Sequence, residues 1–151
     1  MTICTTRDVR SSEGTTYKQV DGIERGMIFW ADVPLSRGKE TAHERPSPWL
    51  VVSDRRIHTR LPLVQAVPLT TQHHQADRFQ VARVFVSEGD MHLIPNSNQR
   101  ALDLSQGRIL VLTEQVRALS HERLRLDPVA RVKASGMAQV EAGLRFVFGI
   151  P

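Results

Sequence analysis

The chain has 151 residues, 40% of them hydrophobic and 24% charged, which supplies apolar content for one compact core. Lys and Arg number 20 against 16 Asp and Glu, a net charge of +4 that suits a nucleic-acid partner without requiring one. No apolar run is long enough to span a bilayer, no secretory signal pattern opens the chain, and Cys4 has no second cysteine to pair with, so the expected setting is cytoplasmic and off the membrane.

Residues 1–22 are rich in Thr and Ser and show no apolar period; they read as a flexible N-terminal leader, with the folded domain spanning 23–151. Residues 27–33 alternate as a strand that Pro34 ends. A polar connection over 35–48 leads to the continuous apolar run 49–52, a strand buried on both faces. The basic connection 53–60 precedes a third strand over 63–69, which runs out at Thr70-Thr71-Gln72. Phe79, Val81, Val84 and Val86 suggest a fourth strand, irregular near Ala82-Arg83. Turn signals at Gly89-Asp90 and 95–98 allow one short hairpin. A fifth strand is expected over 108–116. Ser120 is placed to cap one short helical turn, and 126–132 reads as an edge strand because of Pro128. The end of the chain is helical: Met137, Val140, Leu144 and Val147/Phe148 recur at helical spacing after a capping Ser135, and Gly149 closes the helix. Short strands with one terminal helix describe a mainly β small barrel or curled sheet.

The glycines are scattered rather than gathered in a phosphate-cradling loop, and no Gly-x-Ser-x-Gly turn occurs. Cys4 is isolated and His73-His74 are adjacent rather than spaced for one metal, so no metal or cofactor is expected. What stands out is a cationic and hydroxyl set at strand ends and connections: Glu40, His43, Arg45, Arg55, Arg56, His58, Arg60, Thr70, Thr71 and Glu114. Metal-free cleavage of an RNA phosphodiester needs a base for the 2′-hydroxyl, an acid for the leaving oxygen, and a guanidinium or hydroxyl for the phosphorane charge. The set contains candidates for each role, although solvated surface loops have the same composition.

These residues resemble the MazF/PemK/Kid family of toxin endoribonucleases. The matching pieces are Arg25-Gly26-x-Ile28-x-Trp30-Ala31-Asp32-Val33, Gly38-Lys39-Glu40, Arg45-Pro46, Leu50-Val51-Val52-Ser53, Leu63-Val64-x-x-Val67-Pro68-Leu69-Thr70-Thr71, and Leu112-Thr113-Glu114-Gln115-Val116-Arg117-Ala118-Leu119-Ser120-x-Glu122-Arg123-Leu124. The resemblance implies an SH3-like barrel, a homodimer with single-stranded RNA (mRNA) in a groove across the subunits, and a cognate antitoxin that blocks the groove. It implies Arg45 as acid or phosphate stabiliser, Thr70 as a hydroxyl on the scissile phosphate, and Glu40 or Glu114 as base or orienter. Lys39, His43, Arg55, Arg56, His58, Arg60, Thr71 and Gln72 would then bind flanking RNA. Ser47-Pro48 stands between Arg45-Pro46 and the apolar strand, so either Arg45 or Ser47 occupies the family's Arg position. A non-catalytic barrel toxin or RNA-binding protein acting on a protein target such as gyrase is the alternative; a DNA binder is a weaker option, with no helix-turn-helix pattern to support it.

Overall fold

The computed structural model describes residues 4–33, 46–95 and 98–151. Its strands, in chain order, are β1 (Thr5–Arg10), β2 (Thr16–Asp21), β3 (Met27–Ala31), β4 (Ser47–Val51), β5 (Leu63–Thr70), β6 (Arg83–Ser87), β7 (Met91–Leu93), β8 (Arg108–Leu112), β9 (Arg117–Ser120) and β10 (Ala130–Val132). A four-residue helix, α1 (Arg55–His58), links β4 to β5, and α2 (Ala134–Phe148) follows β10.

Eight strands form one antiparallel sheet in the order β6-β8-β5-β4-β3-β10-β7, with β9 also on β5. The terminal strands β6 and β7 are joined by the single 3-10 turn Glu88–Asp90, so the sheet curls until it nearly closes. The result is the expected mainly β small barrel with a C-terminal helix. Strand β5 carries most of the connectivity. Its first half pairs β9, from Leu63 opposite Ser120 to Ala66 opposite Arg117, and its end pairs β8, Leu69 opposite Val111 and Thr70 opposite Leu110. Its other edge pairs β4 through Val51↔Ala66, Leu50↔Val67 and Trp49↔Pro68.

All five residues of β3 are buried because both faces of this part of the sheet are covered. Ile28 and Trp30 join Leu50, Val67, Val111, Met137 and Val140 in one core. Met27, Phe29 and Ala31, alternating with them, join Trp49, Val51, Val64 and Leu119 in another. Helix α2 reaches the sheet through two glycines: a Cβ on Gly136 would lie 2.6 Å from Val132 Cγ1, and one on Gly143 2.8 Å from Thr113 Oγ1. The helix ends as expected. Gly149 adopts φ 64°, and the N–H of Ile150 donates to the carbonyl of Arg145 at 2.8 Å, a left-handed closure that favours glycine. Ser135 does not cap it; Lys133 holds that position and Ser135 donates instead to Asp90 at 2.6 Å.

Several other expectations need correction. The 3-10 segment His73–Arg78 occupies the approach to β6, leaving Phe79 and Val81 exposed and the strand confined to 83–87. The fifth strand breaks at the 3-10 turn Thr113–Gln115, which lets the chain pass from β8 to β9 along the same edge of β5. Strand β10 is interior, paired with both β3 and β7; Pro128 precedes it, so its missing N–H removes no rung. Among the described residues of 88–106 the expected short hairpin does not form, because β7 pairs β10 instead.

The leader is the largest correction. Residues 5–21 form a β1–β2 hairpin whose six paired positions run from Thr5↔Asp21 to Arg10↔Thr16. Cys4, Val20 and Ile23 are buried in the second core, and burial pushes the Cys4 thiol up to about 11. Polar latches hold the hairpin down. The N–H of Val20 donates to His121 Nδ1 at 2.9 Å, and Gln19 Nε2 donates to the carbonyl of His58 at 2.8 Å. Acceptance at Nδ1 places the proton of the neutral His121 ring on Nε2. Burial, reinforced by the neighbouring His58, lowers His121 to about 4; burial likewise lowers His58.

Two predictions arise here. Gly136→Ala should lower unfolding free energy by about 1–3 kcal/mol in urea titrations, since overpacking against Val132 outweighs the gain in helix propensity. The folded chain keeps His121 neutral, whereas the unfolded chain protonates it below about 6.5, so the unfolded state binds more protons there and stability falls as pH drops from about 6.5 toward 4. Up to about 3 kcal/mol should be lost. His121→Gln, which can accept from Val20 without titrating, should remove much of that slope; an unchanged slope would disprove the assignment.

Candidate active site

Thr70 ends β5, and its hydroxyl oxygen accepts the N–H of Gln72 at 3.1 Å, turning the chain away from the sheet. That turn opens a cavity of about 470 Å³. Thr70, Thr71 and Gln72 line one side, Pro46, Ser47 and Pro48 of the β4 entry another, and Trp30 with Arg100 and Asp103 a third. Antiparallel pairing of β3, β4 and β5 brings these strand ends together, since Pro48 lies opposite Trp30 and Trp49 opposite Pro68.

The polar groups suit an anionic ligand. The Thr70 oxygen already accepts one bond, leaving its proton available to another acceptor. Ser47 is in the same state: its hydroxyl accepts Trp49 Nε1 at 2.9 Å. The Arg100 guanidinium lies 4.3 Å from the centroid of the Trp30 ring, and Trp30 Nε1 donates to the Arg100 carbonyl at 2.6 Å. Asp103 is held below the usual carboxylate range by hydrogen bonds from the backbone and then the side chain of Ser105, which makes it a weak base. Arg100 is the site residue that sequence reasoning missed. It lies in the 88–106 stretch, whose polar turns gave no periodicity to place it.

The other expected residues divide into groups. Lys39, Glu40, His43 and Arg45 lie outside the described residues. Arg55, Arg56 and Arg60 are exposed, but the α1 connection leaves the opposite end of β4 from the cavity. Leu63 and Thr70 are separated along β5 by up to about 23 Å at the usual strand rise. Asp54 also engages Arg56 through both carboxylate oxygens. His58 is not a surface contact at all. It is 2% exposed, with Nε2 2.5 Å from Ser53 Oγ and Nδ1 3.2 Å from the carbonyl of Ile23. A buried ring between two partners contributes to packing, not to RNA binding.

Glu114 sits beyond the β8 break, pairs Arg83 at 2.6 Å, and does not line the cavity. Arg83 also donates to the carbonyl of Gln75 at 3.0 Å, which ties β6, the 3-10 turn of Glu114 and the segment before β6 together. Among the described residues, no three His, Cys, Asp or Glu side chains converge as a metal site would require. No helix among them is long and apolar enough to cross a membrane.

The family described as PemK-like, MazF-like toxin of type II toxin–antitoxin system matches residues 24–148. The chain belongs to this family. Membership supports nuclease activity in general, and it leaves the β1–β2 hairpin outside the matched region. No curated protein matches the sequence significantly. Among solved structures, the Deinococcus radiodurans MazE–MazF complex is 21% identical over 85% of this chain and 98% of its own, with a TM-score of 0.56. The Mycobacterium tuberculosis toxin MazF-mt6 is 14% identical over 83% and 98%, with a TM-score of 0.57. A mycobacterial endoribonuclease in complex with its cognate antitoxin is 21% identical over 85% and 97%, with a TM-score of 0.52. At such identities the likeness establishes the PemK/MazF fold.

The separation of Glu114 from the cavity gives a prediction. Glu114→Ala should cost about 1–3 kcal/mol of stability by leaving the largely buried Arg83 guanidinium without its carboxylate. Any nuclease activity, assayed well below the melting temperature, should stay within about threefold of wild type, since Glu114 does not touch the cavity.

Proposed function

We propose that the chain is the toxin of a type II toxin–antitoxin pair and acts as a metal-independent endoribonuclease on single-stranded RNA. The observation that carries this reading is the Thr70 hydroxyl at the end of β5, opening onto a cavity shared with Ser47 and Arg100 in a chain of the PemK/MazF family. A polyanion whose backbone bends at one phosphate suits hydroxyl donors on a concave strand-end surface.

In the proposed reaction a base takes the proton of the 2′-hydroxyl, and that oxygen attacks the adjacent phosphorus. The bond from phosphorus to the 5′-oxygen breaks, and the leaving oxygen takes up a proton. The products are a 2′,3′-cyclic phosphate and a 5′-hydroxyl, with no oxidant or reductant required. Thr70 donates its proton to a non-bridging oxygen as charge accumulates there. Arg45, joined covalently to the cavity residue Pro46, supplies a permanent positive charge. We assign the base role to Glu40, as the family resemblance implies, because Glu114 is engaged with Arg83. Thr71 and Gln72 hold the flanking strand. The chain works as a homodimer and is silenced by a cognate antitoxin; solved MazE–MazF and endoribonuclease–antitoxin complexes of the same fold support that partner.

A second reading, a non-catalytic toxin on the same barrel, draws on one observation: Ser47 rather than an arginine lines the cavity next to Pro48.

Purified protein should cut a long RNA in EDTA and leave cyclic-phosphate ends. Thr70→Ala and Arg45→Ala should each lower kcat/KM by about 10²-fold or more, the size of effect seen when one preorganised donor is removed. Intact RNA with growth arrest on expression would select the second reading. Equal cleavage by both variants would refute the assigned roles.

A further inference from the structure

Beside the cavity that opens at Thr70 lies a smaller one of about 240 Å³, lined by Trp30, Pro46, Asn98, Gln99, Arg100 and Arg125. Trp30, Pro46 and Arg100 belong to both, so the stacked Arg100–Trp30 pair is the wall between them. We propose that the smaller cavity is a nucleobase subsite that reads one nucleotide next to the scissile phosphate, with Arg100 as its stacking platform. The inference rests on the ribonuclease reading of the larger cavity.

Size comes first. Cavities for whole ligands run from about 300 Å³ upward, so this one holds a fragment such as a single base, not a nucleotide pair. The wall is a built feature. The Trp30 indole, 6% exposed, fixes the Arg100 backbone through its Nε1–H and supports the guanidinium on its ring face. Single-stranded RNA is read by stacking its bases on aromatic or guanidinium planes and bonding their edges. Arg100 is exposed; among the described residues no direct ion pair holds it, and the Asp103 carboxylate interacts with it only through space.

The edge-reading group is the Gln99 amide. Gln99 donates Nε2 to the carbonyl of Leu126 at 3.0 Å, which fixes the orientation of the group before any ligand arrives. An amide presents both a donor and an acceptor, the pattern that base edges complement. Arg125 also lines the cavity, paired with Asp32 only through long contacts of 3.3 and 3.4 Å in an exposed setting. A pair of that kind is held weakly enough to exchange its carboxylate for a phosphate. The surface therefore joins the hydroxyls of the larger cavity, the guanidinium plane of Arg100, the fixed Gln99 amide and the Arg125 guanidinium.

The test uses the full-length protein and a random-sequence pool of single-stranded RNA, with cleaved ends mapped. Wild type should show a base preference at one position flanking the cut. Arg100→Ala and Gln99→Ala should each lower discrimination at that position by roughly 5- to 150-fold, the range for losing one base contact, and leave other positions unchanged. Arg100→Lys is the deciding variant, because it keeps the charge and loses the plane. If it behaves like Arg100→Ala, the stacking subsite stands. Restoration of full discrimination by Lys, or a uniform loss over all sequences, makes Arg100 a phosphate contact and overturns the proposal. If wild type cuts nothing, the ribonuclease reading fails. Anisotropy with the same pool then judges the subsite: a positional preference lost in Arg100→Lys upholds it, and sequence-blind binding overturns it.

Discussion

Strand β5 hydrogen-bonds to β4 along one edge and to β9 and then β8 along the other, and the cavity sits where those bonds run out. A strand with three neighbours cannot shift its register without moving all of them to the wrong face. Thr70 is therefore fixed by the whole sheet rather than by its own loop. The break at Thr113–Gln115 makes this possible, since it lets one continuous piece of chain supply both β8 and β9. Thr113 is fully buried there, its hydroxyl donates to the Ala82 carbonyl, and it packs under the close approach of Gly143. The same turn thus seats α2 and bends the sheet edge.

Charge is distributed in a way that the net +4 does not convey. Several arginines are structural: Arg83 joins Glu114, Arg131 joins Glu24, and Arg25 joins Glu141 on α2 at 2.6 Å. The α1 cluster faces solvent far from Thr70. The guanidinium beside the cavity is Arg100, held by stacking on an indole instead of by a carboxylate. Its charge is felt by the Asp103 carboxylate across the same cavity, without a direct ion pair between them among the described residues.

The barrel was legible where burial is two-sided or periodic. The continuous run at Trp49–Val51, the alternation of Ile28 and Trp30 against Met27 and Phe29, and the helical spacing of Met137 and Val140 all reflect contacts that every such element must make. Thr70 was legible as a strand end. Other parts depend on tertiary contacts that leave no local trace. His58 sits among arginines in sequence yet is buried by β2, a segment nearly forty residues away. The β1–β2 strands carry Thr, Arg and Asp on their exposed faces and bury little besides Gln19 and Val20, so no apolar rhythm announces them. Phe79 and Val81 imitate strand alternation, but Phe79 sits edge-on to Phe146 of α2, with ring centroids 5.5 Å apart. Arg100 could not be singled out because its value comes from Trp30, seventy residues earlier.

The hairpin has a consequence for the order in which the molecule assembles. One of its two polar latches, the Val20–His121 hydrogen bond, joins partners 101 residues apart in the chain. At ordinary synthesis rates, roughly 5–20 s pass between the emergence of Val20 and that of His121. During that interval β1 and β2 have the His58 latch and the earlier part of the second core to meet, while the residues of β9 are still missing. Docking of the hairpin is therefore complete only once β9 and the turn that carries His121 have been made.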